Sequence, residues 1–321
     1  VITANLDNNQ NAGGMYASGG LIVLCEITDN VCNGGSGGGV YLAGATIRNC
    51  LIARNRTGAT GAGVYMSAGT VESSTIVANS AGASGGGGIF RSAAGAGTLR
   101  NCIVVNNTST HATFQNSNSG TTTWNNNCTT NPVVAGTSCT SADPLLANVA
   151  EGNYQLRVGS PCIDTGDDTT VTWGTDLAGK TRKQDMPGGA ALVDMGAYEY
   201  DSALTCDFLA SPRVLIASPT TYQSYGLAPH TVQFAGWADG ANLSGLVFRW
   251  DFDNDGSYEQ EGLDLTSVSY TYTNAGAYTP RLQVTNAAAE VAEKIKSAYV
   301  SAGATHYVVT NNPSAAAPYT N

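Results

Sequence analysis

The chain has 321 residues, 42% hydrophobic and only 12% charged, with 39 glycines and a formal net charge of −10. That length exceeds one ordinary core and calls for two or three domains, while the hydrophobic share argues for folded modules over disorder. No basic stripe exists to neutralise phosphates, which excludes a nucleic-acid partner, and no apolar run is long enough for direct membrane insertion.

From Gly14 to Asn107 one phrase recurs: Gly14-Met15-Tyr16, Gly39-Val40-Tyr41, Gly63-Val64-Tyr65 and Gly88-Ile89-Phe90. The aromatics Tyr16, Tyr41, Tyr65 and Phe90 step by 25, 24 and 25 residues. Ile22, Ile47, Val71 and Leu99 keep the same register, as do Ile27, Ile52, Ile76 and Val104. So do Cys25, Cys50, Ser74 and Cys102, and the asparagines Asn30, Asn55, Asn79 and Asn107. A longer turn from Ser92 to Gly97 stretches the last step, and such corner insertions are what solenoids tolerate. Short β-branched runs between Gly, Asn and Ser read as strands that stack on their own copies. The fold expected for residues 1–125 is therefore a right-handed parallel β-helix of about 24–25 residues per coil. Aliphatic, aromatic and thiol stacks point inward, and Asn occupies the bends because it tolerates left-handed backbone.

Val1 enters in mid-coil, since Ile2 precedes Ile27 by 25 residues, so a processed or incomplete piece of a longer chain is expected. The inward ladder cysteines read as small hydrophobes. Cys128 and Cys139 flank a loop rich in Thr, Asn and Pro and are the best disulfide candidate; Cys32, Cys162 and Cys206 receive no assignment.

Residues 126–205 carry ten acidic and four basic side chains. Their phrases Ala142-Asp143-Pro144-Leu145, Gly159-Ser160-Pro161-Cys162-Ile163-Asp164-Thr165-Gly166, Thr175-Asp176-Leu177-Ala178-Gly179 and Val193-Asp194-Met195-Gly196-Ala197-Tyr198 stand in an order that resembles the choice-of-anchor Q type domain of secreted bacterial β-helices. The resemblance implies an extracellular end piece and no enzyme. An open solenoid end needs a cap, so this segment is expected to be an irregular cap. Asp164, Asp176 and Asp194 then accept backbone N–H bonds in turns, with Arg182 as partner to one of them.

Residues 206–303 alternate in longer strands, which suggests an immunoglobulin-like β-sandwich. The phrases Ala228-Pro229-His230-Thr231-Val232-Gln233-Phe234, Trp250-Asp251-Phe252-Asp253-Asn254-Asp255-Gly256 and Tyr270-Thr271-Tyr272-Thr273-Asn274-Ala275-Gly276 resemble a PKD domain, a family of spacer and adhesion modules on surface and secreted proteins. Within it Asp251, Asp253 and Asp255 before Gly256 have the spacing of a calcium loop. The EF-hand version fails, because its twelfth position is Gly262 and no helices flank it. The competing reading places Phe248, Trp250 and Phe252 in the core and leaves the aspartates on an outer hairpin. Residues 304–321, with Thr305-His306-Tyr307-Val308-Val309, resemble the opening strand of a following β-helix or a linker.

A polysaccharide-cleaving site needs clustered carboxylates with a cation nearby, yet Asp7, Glu26, Asp29 and Glu72 form no acidic pair in adjacent coils. His111, His230 and His306 lack a partner at a recognisable spacing. The leading expectation is a structural and adhesive module of a long bacterial cell-surface or secreted fibre, whose partners are further copies or modules and surface glycans. One alternative is a polysaccharide lyase or glycoside hydrolase with catalytic coils outside this piece. The other is a glycan-binding module using exposed Trp124, Trp173 or Trp237.

Overall fold

In the computed structural model, residues 1–8, 11–82, 85–92, 97–110, 117–118, 124–129, 136–183, 192–217 and 221–304 are described. The described residues are all-β apart from two short 3-10 turns, and the chain divides into two compact units, Val1–Ser202 and Ala203–Asn321.

The first unit is a parallel solenoid with three sheets. One sheet stacks Ile2–Thr3, Glu26–Thr28, Leu51–Ala53, Thr75–Val77, Ile103–Val105 and Cys128–Thr129. The second is built on the long strands Val40–Arg48 and Val64–Glu72, and the third runs from Leu6–Asp7 to Thr108–Ser109. Register follows the sequence period: Ile27 pairs with Ile52, Ile52 with Ile76, and Ile76 with Val104. Tyr41 likewise lies between Tyr16 and Tyr65, and Ile47 between Ile22 and Val71. The core these stacks enclose contains Ile27, Ile52, Ile76, Val104, Ile47, Val71, Leu99 and Trp124, all fully buried. Each such side chain contributes about 2 kcal/mol of transfer free energy. The solenoid continues past residue 125, because Ile103 pairs with Cys128 and Val104 with Thr129 on the sixth strand of the first sheet.

Two expectations about side-chain direction need correction. The aromatic ladder stacks with centroids 4.6–5.5 Å apart, but on the outer surface, where Tyr16 is 59% exposed. Successive strand residues face opposite sides, and the buried neighbours Val40 and Leu42, or Val64 and Met66, take the inner one. The asparagine ladder is the reverse case. Asn30, Asn55, Asn79 and Asn107 point inward, and the left-handed backbone falls on the preceding residues Asp29, Arg54, Ala78 and Asn106.

Residues 136–140 bond across the last described strands, with Thr140 pairing parallel to Cys128, and the described residues from 142 to 202 lie along the flank of the coils. A hairpin of Leu146–Asn148 and Asn153–Leu156 leads into turns. Tyr154, Leu156, Cys162, Met195 and Tyr200 form a second core with the outward residues Leu51, Ala53, Val77, Ile103, Val105 and Cys128 of successive coils. The reason is compositional: those outward positions are Glu26 and Thr28 in an early coil but Leu51, Ala53, Val77, Ile103 and Val105 later, with Thr75 the polar exception, so the sheet carries apolar area that must be covered.

The second unit is an antiparallel sandwich. Thr205–Ser211, His230–Asp239 and Ser267–Tyr272 make one sheet; Gln260–Leu263, Val247–Asp251, Arg281–Thr285 and Val291–Ile295 make another. Gly276–Tyr278 pairs with Val300–Gly303 while Arg281–Thr285 pairs with Val247–Asp251, so the chain changes sheets at Thr279-Pro280. Proline lacks the N–H that a continuous ladder needs. Trp250 is fully buried among Phe208, Phe234 and Phe252, with ring centroids 5.6–6.0 Å away.

Candidate functional site

The acidic loop follows the strand Val247–Asp251, which brings Phe248 and Trp250 into the core and delivers Asp251 to its end. Asp251 is fully buried and organises the turn: its carboxylate accepts the N–H groups of Asn254 at 2.6 Å, Asp255 at 3.2 Å and Gly256 at 3.1 Å. Asp255 in turn accepts the Ser257 N–H, and Glu259 the Phe252 N–H at 2.8 Å. The structure adds Glu259 to the three aspartates read from the sequence, since oxygens of all four carboxylates lie within 4.8 Å of one another. Burial, opposed in part by the Phe252 N–H, and then the charges of Asp253 and Asp251 raise the Glu259 pKa. A hard cation fits such a set of clustered oxygens on a tight turn. Sequence spacing alone did not expose Glu259, which returns to the cluster because the next strand starts at Gln260 and pairs antiparallel with Val247–Asp251.

In the solenoid the polar side chains bond from coil to coil. Asn55 Oδ1 accepts both the backbone N–H and the side-chain amide of Asn30 at 3.0 Å. Asn79 accepts the same pair from Asn55, and Asn107 from Asn79. Each amide also donates to a carbonyl of the preceding coil, Asn55 to Ile27 and Asn79 to Ile52, both at 2.9 Å. The thiol ladder has one task throughout, because Cys25, Cys50 and Cys102 donate to the carbonyl two residues earlier, and the Ser74 hydroxyl does likewise. Cys25 is half-buried, while burial pushes Cys50 and Cys102 each up to about 12. Buried Glu72 joins Arg48 and Arg100 of the neighbouring coils, and Asp29 holds Arg54 through two bonds of 3.1 and 2.9 Å.

The flank segment is held by a buried polar cluster. Arg182 pairs with Glu199 and donates to Asn49 Oδ1 and Gly196 O, each at 2.7 Å. Its carboxylate partner is thus Glu199, while Asp176 and Asp194 are occupied with backbone donors. Asp194 accepts Asp164 N at 2.8 Å and Tyr200 N at 2.6 Å, and Asp176 accepts Lys180 N and Glu199 N. Burial first, and then the charge of Glu199, raise the Asp194 pKa to about 7.

Of the three tryptophans expected to be exposed, Trp124 is 0% exposed inside the solenoid core. Trp173 is half-buried, lies 3.8 Å beneath the Arg48 guanidinium and donates to Asn49; Trp237 is half-buried in its strand. These positions correct the exposed glycan platform. His230 is buried against Ser224 Oγ at 2.9 Å and its pKa is lowered by burial, whereas His111, His306 and the segment from Thr305 lie outside the described residues.

The structure does not bring Cys128 and Cys139 together. Cys128 pairs in register with Thr140, so Cys139, one residue earlier, faces the other side and donates its thiol to Trp124 O at 3.0 Å. The cysteine that shares the buried core of Cys128 is Cys162.

Residues 1–153 match the family model described as right handed beta helix region, and residues 217–298 match the PKD domain model. No curated protein matches the chain. The solenoid is accordingly a right-handed β-helix region, and the sandwich is a PKD domain.

Proposed function

We propose that this chain, a right-handed β-helix region followed by a PKD domain, is a structural and adhesive module of a bacterial cell-surface or secreted multi-domain fibre. The observation that carries the reading is the use of the solenoid's buried polar groups. The asparagine and Glu72 ladders are engaged between coils and the thiols bond the carbonyls of their own coils, which serves stiffness rather than turnover. The pairing of β-helix and PKD domains fits an extracellular structural or adhesion module. No helix among the described residues is long and apolar enough to cross a membrane. The phrases around Cys162, Asp176 and Asp194 support a choice-of-anchor Q type end region for residues 126–205. Further copies or modules of the fibre, and surface glycans, are its partners in this reading.

The β-helix fold is shared by some hydrolases and lyases, so the test has two arms. Fractionating the source cells and measuring the native polypeptide should place it outside the cytoplasm, in a chain much longer than 321 residues. A cytoplasmic location would end the reading. Release of reducing sugar or unsaturated uronic acid from a polysaccharide panel by the native protein would turn it into an enzyme.

Calcium belongs to the same reading, held by Asp251, Asp253, Asp255 and Glu259, where it would offset two of the four clustered negative charges and fix the turn. Calcium at a hundred times its Kd should stabilise the second unit by about 2.7 kcal/mol. Asp253→Asn with Asp255→Asn should remove that gain without changing the calcium-free melt. A melt indifferent to calcium in the unaltered chain would remove calcium from the account.

A further inference from the structure

Cys128 and Cys162 are 34 residues apart, unrelated by the solenoid period, and both are fully buried in the core between coils and flank segment. Cys128 sits on the last described strand of the first sheet, pointing outward from the coil, since its register partner Ile103 also belongs to that outer core. Cys162 lies in a tight turn fixed from two directions: its N–H donates to Ser160 Oγ at 3.2 Å and its carbonyl accepts Met195 N–H at 2.9 Å. The two cysteines are free thiols of one buried cluster, in which the Cys128 thiol donates to Ala142 O at 3.3 Å. Every inward ladder cysteine has a recurrent partner, the carbonyl two residues before it, and a serine replaces it at one coil. Neither Cys128 nor Cys162 belongs to that pattern.

We propose that Cys128 and Cys162 form a disulfide that fastens the flank segment to the last described coil of the β-helix.

In the exchange that forms the link, Cys128 attacks first as its thiolate, its proton passing to solvent and from there to a released thiolate. Its thiolate attacks one sulfur of a disulfide oxidant, either oxidised glutathione or a disulfide-carrying oxidoreductase, and displaces the other sulfur as a thiolate. Cys162 gives up its proton to that thiolate and attacks the Cys128 sulfur of the mixed disulfide, releasing the second thiolate. Two protein thiols are thereby oxidised by two electrons, one oxidant disulfide is reduced to two thiols, and both protons remain with them. Because the sulfurs are buried once the segment has docked, the exchange belongs to the docking step, and the finished bond is shielded from reductant. The link closes the chain from 128 to 162 and would hold Tyr154, Leu156 and the Ser160 turn on the coils.

Peptide mapping of the full chain, refolded with oxidised glutathione and alkylated under denaturing conditions, tests the link. Cleavage at Arg100, Arg157 and Lys180 yields residues 101–157, with Cys102, Cys128 and Cys139, and residues 158–180, with Cys162 alone. These two peptides should appear joined in the unaltered chain and in Cys139→Ser, and separate in Cys128→Ser. Fragmentation of the joined pair between residues 128 and 139 gives the same answer should Cys128→Ser fail to fold. Complete alkylation of Cys162 in the refolded, unaltered chain would overturn the proposal, and so would a crosslink mapped to Cys102 or Cys139. Neither outcome touches the fibre reading, which concerns where the chain works and what it does.

Discussion

Asp194 shows how a single residue ties the two layers of the first unit together, since its two oxygens receive backbone donors from turns on either side of it. Burial takes the charge out of solvent and Glu199 adds a second negative group, so the pKa is raised to about 7. An acid whose folded value exceeds its unfolded value of about 3.9 binds its proton more tightly when folded. Through this group stability therefore increases as pH falls through about 7, with the gain complete near 4. Melting of the first unit should rise between pH 8 and pH 5, and Asp194→Asn should flatten that dependence. A variant with the same slope as the unaltered chain would assign the effect to another carboxyl. Asn79 is the contrasting residue, neutral and fully engaged, with donors and acceptors matched to the coils on both sides. Its role was legible as a ladder position in the sequence. The direction of its side chain was not, because repeat spacing says which residues stack but not which face they occupy.

At the scale of the coil, close approach of backbones decides what each corner accepts. A Cβ at Gly39 would come within 2.8 Å of both Gly63 O and Asn55 Nδ2, atoms fixed by the neighbouring coil and by the asparagine ladder. One at Gly19 would meet nothing within 4 Å. Gly39→Ala should thus cost about 2 kcal/mol of unfolding free energy through forced separation of coils, and Gly19→Ala should stay within about 0.5 kcal/mol of the parent. Equal urea midpoints for the two variants would contradict the packing described. The strands themselves carried a readable signal for the outward aromatic ladder. Tyr41 lies between Val40 and Leu42, and Tyr65 between Val64 and Met66, so two aliphatic neighbours compete with one aromatic for the core. Alternation gives that side to the pair. The break at Thr279-Pro280 was equally available, because a proline cannot serve a continuous central strand.

For the whole chain, the two compact units have separate cores, one of stacked aliphatics and one around Trp250. Ile52→Asp places an uncompensated carboxylate between Ile27 and Ile76 and should remove more than about 4 kcal/mol from the first unit. Calorimetry of the full chain should then lose the transition of the first unit and retain that of the PKD domain. Loss of both together would mean that the units do not melt independently. The sequence by itself determined the solenoid, its period and pairing register, the sandwich and the acidic turn, because all of these rest on local alternation or on self-similarity at a fixed spacing. Only the tertiary structure decided that the described residues from 142 to 202 lie along the flank of the coils, that Arg182 answers to Glu199, that Glu259 joins the aspartates, and that Cys128 and Cys162 share one buried core. Those contacts join segments with no shared period, chosen by which apolar and polar surfaces remained uncovered after each element had formed, and no local pattern encodes that remainder.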